Sequence, residues 1–564
     1  MRKKLPIGVD NFAELADKQN NYIFVDKTLM IKEVIDGGEL VSLILRPRRW
    51  GKSLNMSMLR YFFAPTVKGE DTKGLFDTLK IAKVDNGKYL QYQGKHPVIF
   101  VTLKDIRALT FESFVEQLRH LIAGIFWQYP ELSDSPELSQ EDREEFERLA
   151  NQTSTESELS DALLTLSTFL KAHYKSRVFI LIDEYDTPLN VAYNKSHFDR
   201  LVNFLECMFG AALKGNNALA KGIITGILKL SQNSMTSGLN NLVVYTFWDK
   251  KYSNSFGFSE NEVSDLFQAA GVSADLQQVR DWYNITGRVT AVSNPWSILR
   301  CISNEGECKP YWADTGDGEL LRTILTRPNL QTKVQTLLTG GCVEAIINDI
   351  PLDQKVNGAA IWSLLWAWGY LNIVEDCGHD SFSLKIPNYE IQYVCELIFI
   401  QPAMLAVSVD RYDALMDALV SGNVDVFLKD LEDFLPHYCR RLDLTEEKEY
   451  HLWVLSWICY LQRTYHIDSN QSRTGSSDLI LTPKEPNQDW GIIFALQHNA
   501  ELEKDSAFYE GLAKAGLEHL NDSPYDVALK RNPHLKQILK LSLAFYGKQV
   551  ASCYSIEAVP SLSE

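Results

Sequence analysis

The stretch RPRRWGKS, Arg46 to Ser53, follows the apolar run LVSLIL (residues 40–45) and precedes SLNMSMLRYFF. The pattern reads as strand, tight loop and helix, with the loop ending in Gly-Lys-Ser. A phosphate-binding loop needs these residue types. The glycine lets the backbone approach an anion, the lysine reaches β- and γ-phosphates, and the serine hydroxyl ligates Mg²⁺. The helix that follows points its first amides at the same anion. Arg48, Arg49, Trp50, Gly51, Lys52, Ser53 and Leu54 are therefore the expected nucleotide-binding set. One position departs from GxxxxGK[ST]: its first glycine is Arg46.

A second half-site is expected at VFILIDEYD, residues 178–186. Five apolar residues make a buried parallel strand, and Asp183 falls at its carboxyl end, where open α/β sheets bind ligands. Asp183 would hold Mg²⁺ with Ser53, and Glu184 would polarise an attacking water. The same residues could also make a buried strand ending in a solvated acidic turn; the GKS upstream favours the nucleotide site. A strand over 222–226 ends in Thr225-Gly226, so Thr225 is a candidate sensor of the γ-phosphate.

Length and composition fit a globular chain of several domains. The 564 residues exceed what one core usually spans, and 45% hydrophobic with 23% charged residues is ordinary globular material. A net charge of −17 disfavours a broad basic surface for duplex nucleic acid. The nine cysteines form no CxxC pair and no zinc spacing, so reduced thiols and a cytoplasmic location are expected. The N-terminus MRKKLPIGVDNF lacks an apolar signal core. The most apolar run, residues 359–374, is short of a membrane span and reads as a buried helix running into a turn and strand.

Strands at 40–45, 98–103, 178–182 and 222–226 alternate with helical patterns, which argues for a parallel sheet covered on both faces. A strand at 98–103 lies between the two half-sites in sequence, which suits a sheet in which another strand separates them in space. Four regions follow: a P-loop core at 1–245, a helical lid at 246–330, a winged-helix-like connector at 331–390, and a mixed α/β domain at 391–564.

The segments IGVDNF, YIFVDKT, LRPRRWGKSLNMSML, ILIDEYDTPL, TGILKLSQNSMTSGLNNL, FGFSENEV, NPWS and YWADTG run in order from Ile7 to Gly316. On them the chain resembles the AAA-ATPase-like domain found, mostly in bacteria, fused to a domain of the PD-(D/E)XK nuclease superfamily. The family loop reads RPRR[FW]GKS, so Arg46 is its normal variant. The resemblance implies ATP and Mg²⁺ as cofactors, with Lys52 and Ser53 as the phosphate and metal residues and Asp183 and Glu184 as the second pair. It assigns no role to Asp26 and Lys27 of VDKT. Arg48 and Arg49 are left either on phosphate or paired with acids around the site.

AIWSLLWAWGYL with LKIPNYE resembles the connector, and YHLWVLSWICYL, SSDLIL and LSLAFYGKQV resemble the nuclease domain. That superfamily uses an Asp on one strand and Glu-x-Lys on the next to hold Mg²⁺ and activate water. Here Asp478 fills the first position, but the next strand offers Ala495 and Gln497, and His519 stands where the family has a glutamine. Residues 391–564 carry 15 Lys and Arg against 25 Asp and Glu, a poor surface for a polyanion. Glu501, Glu503 and Asp505 are the acids that could have migrated into the metal role. The expectation is an ATP-hydrolysing P-loop protein with an inactive nuclease-fold domain kept for interaction, with a protein partner or a second copy of the chain. Two alternatives stand beside it: a nucleotide-gated module with negligible turnover, and an ATP-gated nuclease with a migrated ligand.

Overall fold

The computed structural model describes residues 3–193, 195–228, 241–287, 290–312, 330–338, 340–347, 358–395, 409–438, 464–471, 477–484, 488–498, 505–522, 534–546 and 549–559, together with positions 454, 458, 461, 529, 530 and 532. They fall into two compact units, Met1–Gly316 with Glu344–Ile391, and Asp317–Val343 with Gln392–Glu564.

In the first unit the apolar runs become β1 (Val41–Leu45), β2 (Val98–Thr102), β3 (Val178–Asp183) and β4 (Leu219–Gly226), joined by a further short strand, β5 (Leu242–Tyr245). They form one parallel sheet of order β2-β3-β4-β1-β5. Every residue of β1 and β3 is buried, as strands covered on both faces must be. The strand that separates β1 from β3 in space is β4. The strand between them in sequence, β2, lies at the edge.

The connecting helices bury periodic stripes. α1 (Lys52–Phe63) leaves the phosphate-loop sequence, and α2 (Phe111–Phe126) turns Phe111, Phe114, Leu118, Ile122 and Ile125 inward. α3 (Glu156–Tyr174) opens with a capping box in which Thr155 and Glu158 satisfy each other's backbone amides. α4 (Phe198–Leu213) packs on α3 and β4. Phe63 of α1 stacks on Phe179 of β3 with ring centroids 3.9 Å apart, so the helix is seated directly on the sheet.

The region expected as a helical lid, residues 246–330, is not all helical among its described residues, and this corrects the sequence expectation. β6 (Phe258–Ser259), β7 (Asn284–Thr286) and β8 (Ala291–Ser293) form an antiparallel sheet of order β6-β8-β7 beside α5 (Glu260–Ala270) and α6 (Pro295–Ser303). Strands of two or three residues are too short to leave a period in the sequence. Further on, α7 (Gly358–Ala367) breaks at Gly369, whose φ is +85°, and the chain returns as the hairpin β9 (Asn372–Gly378) and β10 (Ser381–Lys385). A side chain at Gly369 would press within 3.0 Å of the Pro47 ring, so this turn lies against the phosphate-loop sequence.

Glu390 joins this turn region to α6. Its carboxylate is buried, accepts bonds from Ser297 Oγ (2.8 and 3.0 Å) and from Trp312 N (2.9 Å), and burial pushes its pKa from 4.5 up to about 8. The folded chain therefore holds a proton that the unfolded chain releases between about pH 4.5 and pH 8. Stability contributed by this group is full below that window and falls as pH rises through it, with a slope approaching ~1.4 kcal/mol per unit. Glu390→Gln keeps an acceptor for Trp312 and cannot ionise. Its melting temperature is expected to gain on the parent's between pH 6 and pH 9; curves that stay parallel across that range would refute the assignment.

In the second unit β11 (Tyr465–Gln471), β12 (Ser477–Pro483), β13 (Trp490–His498), β14 (Gln537–Tyr546) and β15 (Gln549–Ala558) form one sheet in that order, with only β13–β14 parallel. α8 (Ser506–Asp522) packs on β13, β14 and β15. No described helix is long and apolar enough to cross a membrane.

Candidate functional site

The loop after β1 is held open from behind. Arg46, in place of the usual glycine, is buried, and its guanidinium donates to the carbonyls of Leu45 (2.7 Å), Tyr252 (3.2 Å) and Tyr245 (3.3 Å). It also lies over the rings of Phe256 and Phe247. Burial lowers its pKa to about 10, against the opposing charges of Asp249 and Glu33. Arg46 is thus a strut between the loop and the end of β5, committed to carbonyls rather than to an anion. Gly51, at φ +80°, caps α1 in a left-handed conformation that suits glycine.

Lys52 is buried, and its ammonium donates to the carbonyls of Pro47 (2.9 Å) and Arg46 (3.1 Å). Burial lowers its pKa, while Glu184, Asp183 and Asp186 pull the other way. Ser53 Oγ donates to Asp183 Oδ2 at 2.6 Å, which links the loop to the end of β3 across the intervening strand. Thr225 on that strand donates to the other oxygen of the same carboxylate at 2.5 Å. Its hydroxyl therefore orients Asp183. Glu184 has φ +53°, and its backbone carbonyl accepts from Thr187 N, while Oε2 accepts weakly from Thr187 Oγ1 at 3.4 Å.

The next two residues carry a function that the sequence reading missed. Asp186 is buried, and its Oδ2 accepts from the amides of Ile227 and Leu228, both at 2.9 Å. Burial raises its pKa, and those two amides work against the rise. Tyr185 donates to the Leu228 carbonyl at 2.6 Å, and its ring leaves no room for a side chain at Gly226. Together they fix the exit of β4 beside Asp183. The only sequence signal was YD directly after the acidic pair.

A cavity of about 350 Å³ opens over Gly51, Lys52, Ser53, Leu54 and Asn55, with Glu184 and Lys104 also on its wall. Its apolar lining comes from far along the chain: Val9, Leu15, Ile23, Val25, Leu266 and Leu299. Gly8 and Asp10 of IGVDNF, Phe258 of FGFSENEV and Trp296 of NPWS line it too, so widely separated sequence blocks converge on one space. Lys104 is ion-paired with Asp10 at 3.3 Å. Lys27 reaches the wall from VDKT, and its ammonium is committed to Glu262 (2.7 Å) and the Asn254 carbonyl (3.0 Å). Asp26 accepts from Thr28 N and Oγ1 and from Lys80 N. VDKT is thus a structural clasp between the N-terminal segment and residues 254–262.

The remaining loop residues divide. Trp50 lines the cavity with its ring buried among Phe247, Ile285 and Val292, which ties the loop to the β6-β8-β7 sheet. Leu54 lines the cavity and packs at the edge of the main core. Arg48 is half-buried, near enough to Lys52 for its charge to oppose the lysine's. Arg49 is exposed, with its guanidinium 4.3 Å from the Trp296 ring centroid, a partner that is neither phosphate nor acid.

In the second unit, Asp478 of β12 pairs directly with Ala495 of β13, which in turn pairs with Ser542 of β14. Asp478 is fully buried; His519 Nε2 of α8 approaches its Oδ2 at 3.3 Å, and Oδ1 has no partner among the described residues. Gln497, with its amide oriented to suit its neighbours, donates to the Leu512 carbonyl (2.9 Å) and accepts from Gly516 N (3.2 Å). It is thereby spent on the backbone of α8. Glu501 and Glu503 lie outside the described residues. Among those described, no three His, Cys, Asp or Glu side chains gather as a metal group.

Residues 6–236 match a family model described as a predicted AAA-ATPase. Over 406 residues, 69% of each chain, the protein is 27% identical to a protein of Azotobacter chroococcum mcd 1 described as an uncharacterized protein in the vnfD 5' region. The span matched by the family model holds the loop, Asp183–Glu184 and Thr225, and the chain is similar there to predicted AAA-ATPases.

Proposed function

We propose that this chain binds ATP with Mg²⁺ in the 350 Å³ cavity and hydrolyses it, using residues 1–245 as the catalytic core. The observation that carries this reading is the hydroxyl–carboxylate pair of Ser53 and Asp183, held at 2.6 Å beneath the loop and oriented by Thr225. Two hard oxygen donors beside a phosphate-binding loop fit Mg²⁺, which usually takes one or two carboxylates and completes its shell with phosphate oxygens and water. The bound ion would neutralise charge on the β- and γ-phosphates. Lys52 exchanges its loop carbonyls for phosphate oxygens. The α1 amides after Gly51 face the same anion. Glu184 orients the water for in-line attack on the γ-phosphorus and accepts its proton, and the bond from that phosphorus to the bridging oxygen of ADP breaks. The apolar lining takes the base and ribose. Release of inorganic phosphate by the purified chain tests turnover; tight ATP binding without release would favour a nucleotide-gated module instead.

In this reading residues 246–330 are the lid, 331–390 a winged-helix-like connector, and 391–564 a nuclease-fold domain that keeps its core and has lost its chemistry. The neighbour of Asp478 on the next strand is Ala495, which offers no ligand, and Gln497 carries no charge. The domain serves instead as a contact surface for a protein partner or a second copy of the chain. No cleavage of plasmid, linear duplex, single-stranded DNA or RNA is expected with Mg²⁺ or Mn²⁺, with or without ATP. Cleavage that disappears in Asp478→Ala would restore the nuclease.

A further inference from the structure

Four basic side chains besides Arg49 stand in or behind the cavity, and each is already engaged. Arg46 and Lys52 bond loop carbonyls, Lys27 pairs with Glu262, and Lys104 pairs with Asp10. Arg49 is different. It lines the cavity, is exposed, makes no ion pair among the described residues, and rests on the Trp296 indole. Its backbone sits at φ +66°, which residues with a side chain seldom adopt unless their surroundings require it.

We infer that Arg49 is the residue by which the cavity tells a nucleoside triphosphate from a diphosphate. Without a terminal phosphate it rests on Trp296; with one, it leaves the indole for the γ-phosphate oxygens. The inference depends on the nucleotide reading above. A cation over the half-buried Trp296 ring is a weaker partner than a phosphate that accepts two parallel N–H bonds, so the anion wins when present. Trp296 does not follow. Its backbone amide is capped by Asn294 Oδ1 at 2.9 Å, and its Nε1 donates to the Tyr311 carbonyl at 3.1 Å. The indole stays on the first turn of α6, one residue before Ser297, which bonds Glu390. Triphosphate binding therefore breaks a contact between the loop and α6 that diphosphate leaves intact.

The test is calorimetric titration of the full chain with Mg²⁺ and either a non-hydrolysable ATP analogue or ADP. Arg49→Ala is expected to weaken the triphosphate about 10- to 100-fold, the scale of a charge-assisted bond. ADP should change by less than about threefold, since its phosphates do not reach the γ position. Arg49→Lys, which keeps the charge and loses the fork, should fall between. Trp296→Leu removes the competitor, so the ratio of triphosphate to ADP affinity should rise about two- to fivefold. The double variant should match Arg49→Ala. Equal losses for both nucleotides in Arg49→Ala would overturn the inference, as would a Trp296→Leu that weakens both, which would make the indole a platform for the base. A parent chain that binds neither nucleotide would remove the nucleotide reading itself, and this inference with it.

Discussion

Lys52→Ala is expected to lower ATP affinity by at least about 100-fold, the scale for removing a buried charge partner. The lysine is enclosed at the start of α1 and faces Glu184, Asp183 and Asp186. Alanine deletes a buried cation set among those acids and leaves the Arg46 and Pro47 carbonyls without this donor. Both consequences oppose a polyanion: the acids repel it, and nothing bridges the β- and γ-oxygens. The fold should survive, because Arg46 still ties the loop to Tyr245 and Tyr252. Titration with ATP and Mg²⁺, paired with a melting curve, separates the two effects. Parent-like affinity in a folded Lys52→Ala chain would remove the phosphate-loop assignment.

What could be read from sequence was what is local. The GKS after an apolar strand and the acidic pair after another depend on short spacings, and both fell at the ends of strands of one parallel sheet, with β4 between them. What could not be read was tertiary. Arg46 looked like a gap in the motif, because its partners at Tyr245 and Tyr252 lie some 200 positions along the chain. Lys27 had no legible role because Glu262 is just as remote. Thr225 was placed at the right strand end, but no spacing tells a sensor of phosphate from a bond to Asp183. The strands β6, β7 and β8 escaped notice because pairs and triplets of residues carry no period. In the second unit the register Asp478–Ala495 follows the strand alignment made from sequence, whereas the use of Gln497 to bond α8 needed coordinates.

Glu184→Gln is expected to keep ATP bound and slow phosphate release by at least about 100-fold, the usual scale for losing a catalytic base. The substitution is nearly isosteric. The backbone bond from Thr187 N to the Glu184 carbonyl does not depend on the side chain, and the amide oxygen can accept from Thr187 Oγ1 as Oε2 does. The left-handed backbone at φ +53° and the link from Tyr185 to Thr225 should both persist, so Asp183 and Ser53 stay where they are. Only proton acceptance is lost. Affinity for ATP should hold or rise slightly, because one negative charge leaves a wall that faces phosphate. A single-turnover assay with radiolabelled ATP reads the chemical step without interference from product release. If the variant hydrolyses at the parent rate, Glu184 is a solvated acid at a strand end and the base lies elsewhere. Asp186 would not be the replacement, since its carboxylate is buried and already accepts from Ile227 and Leu228.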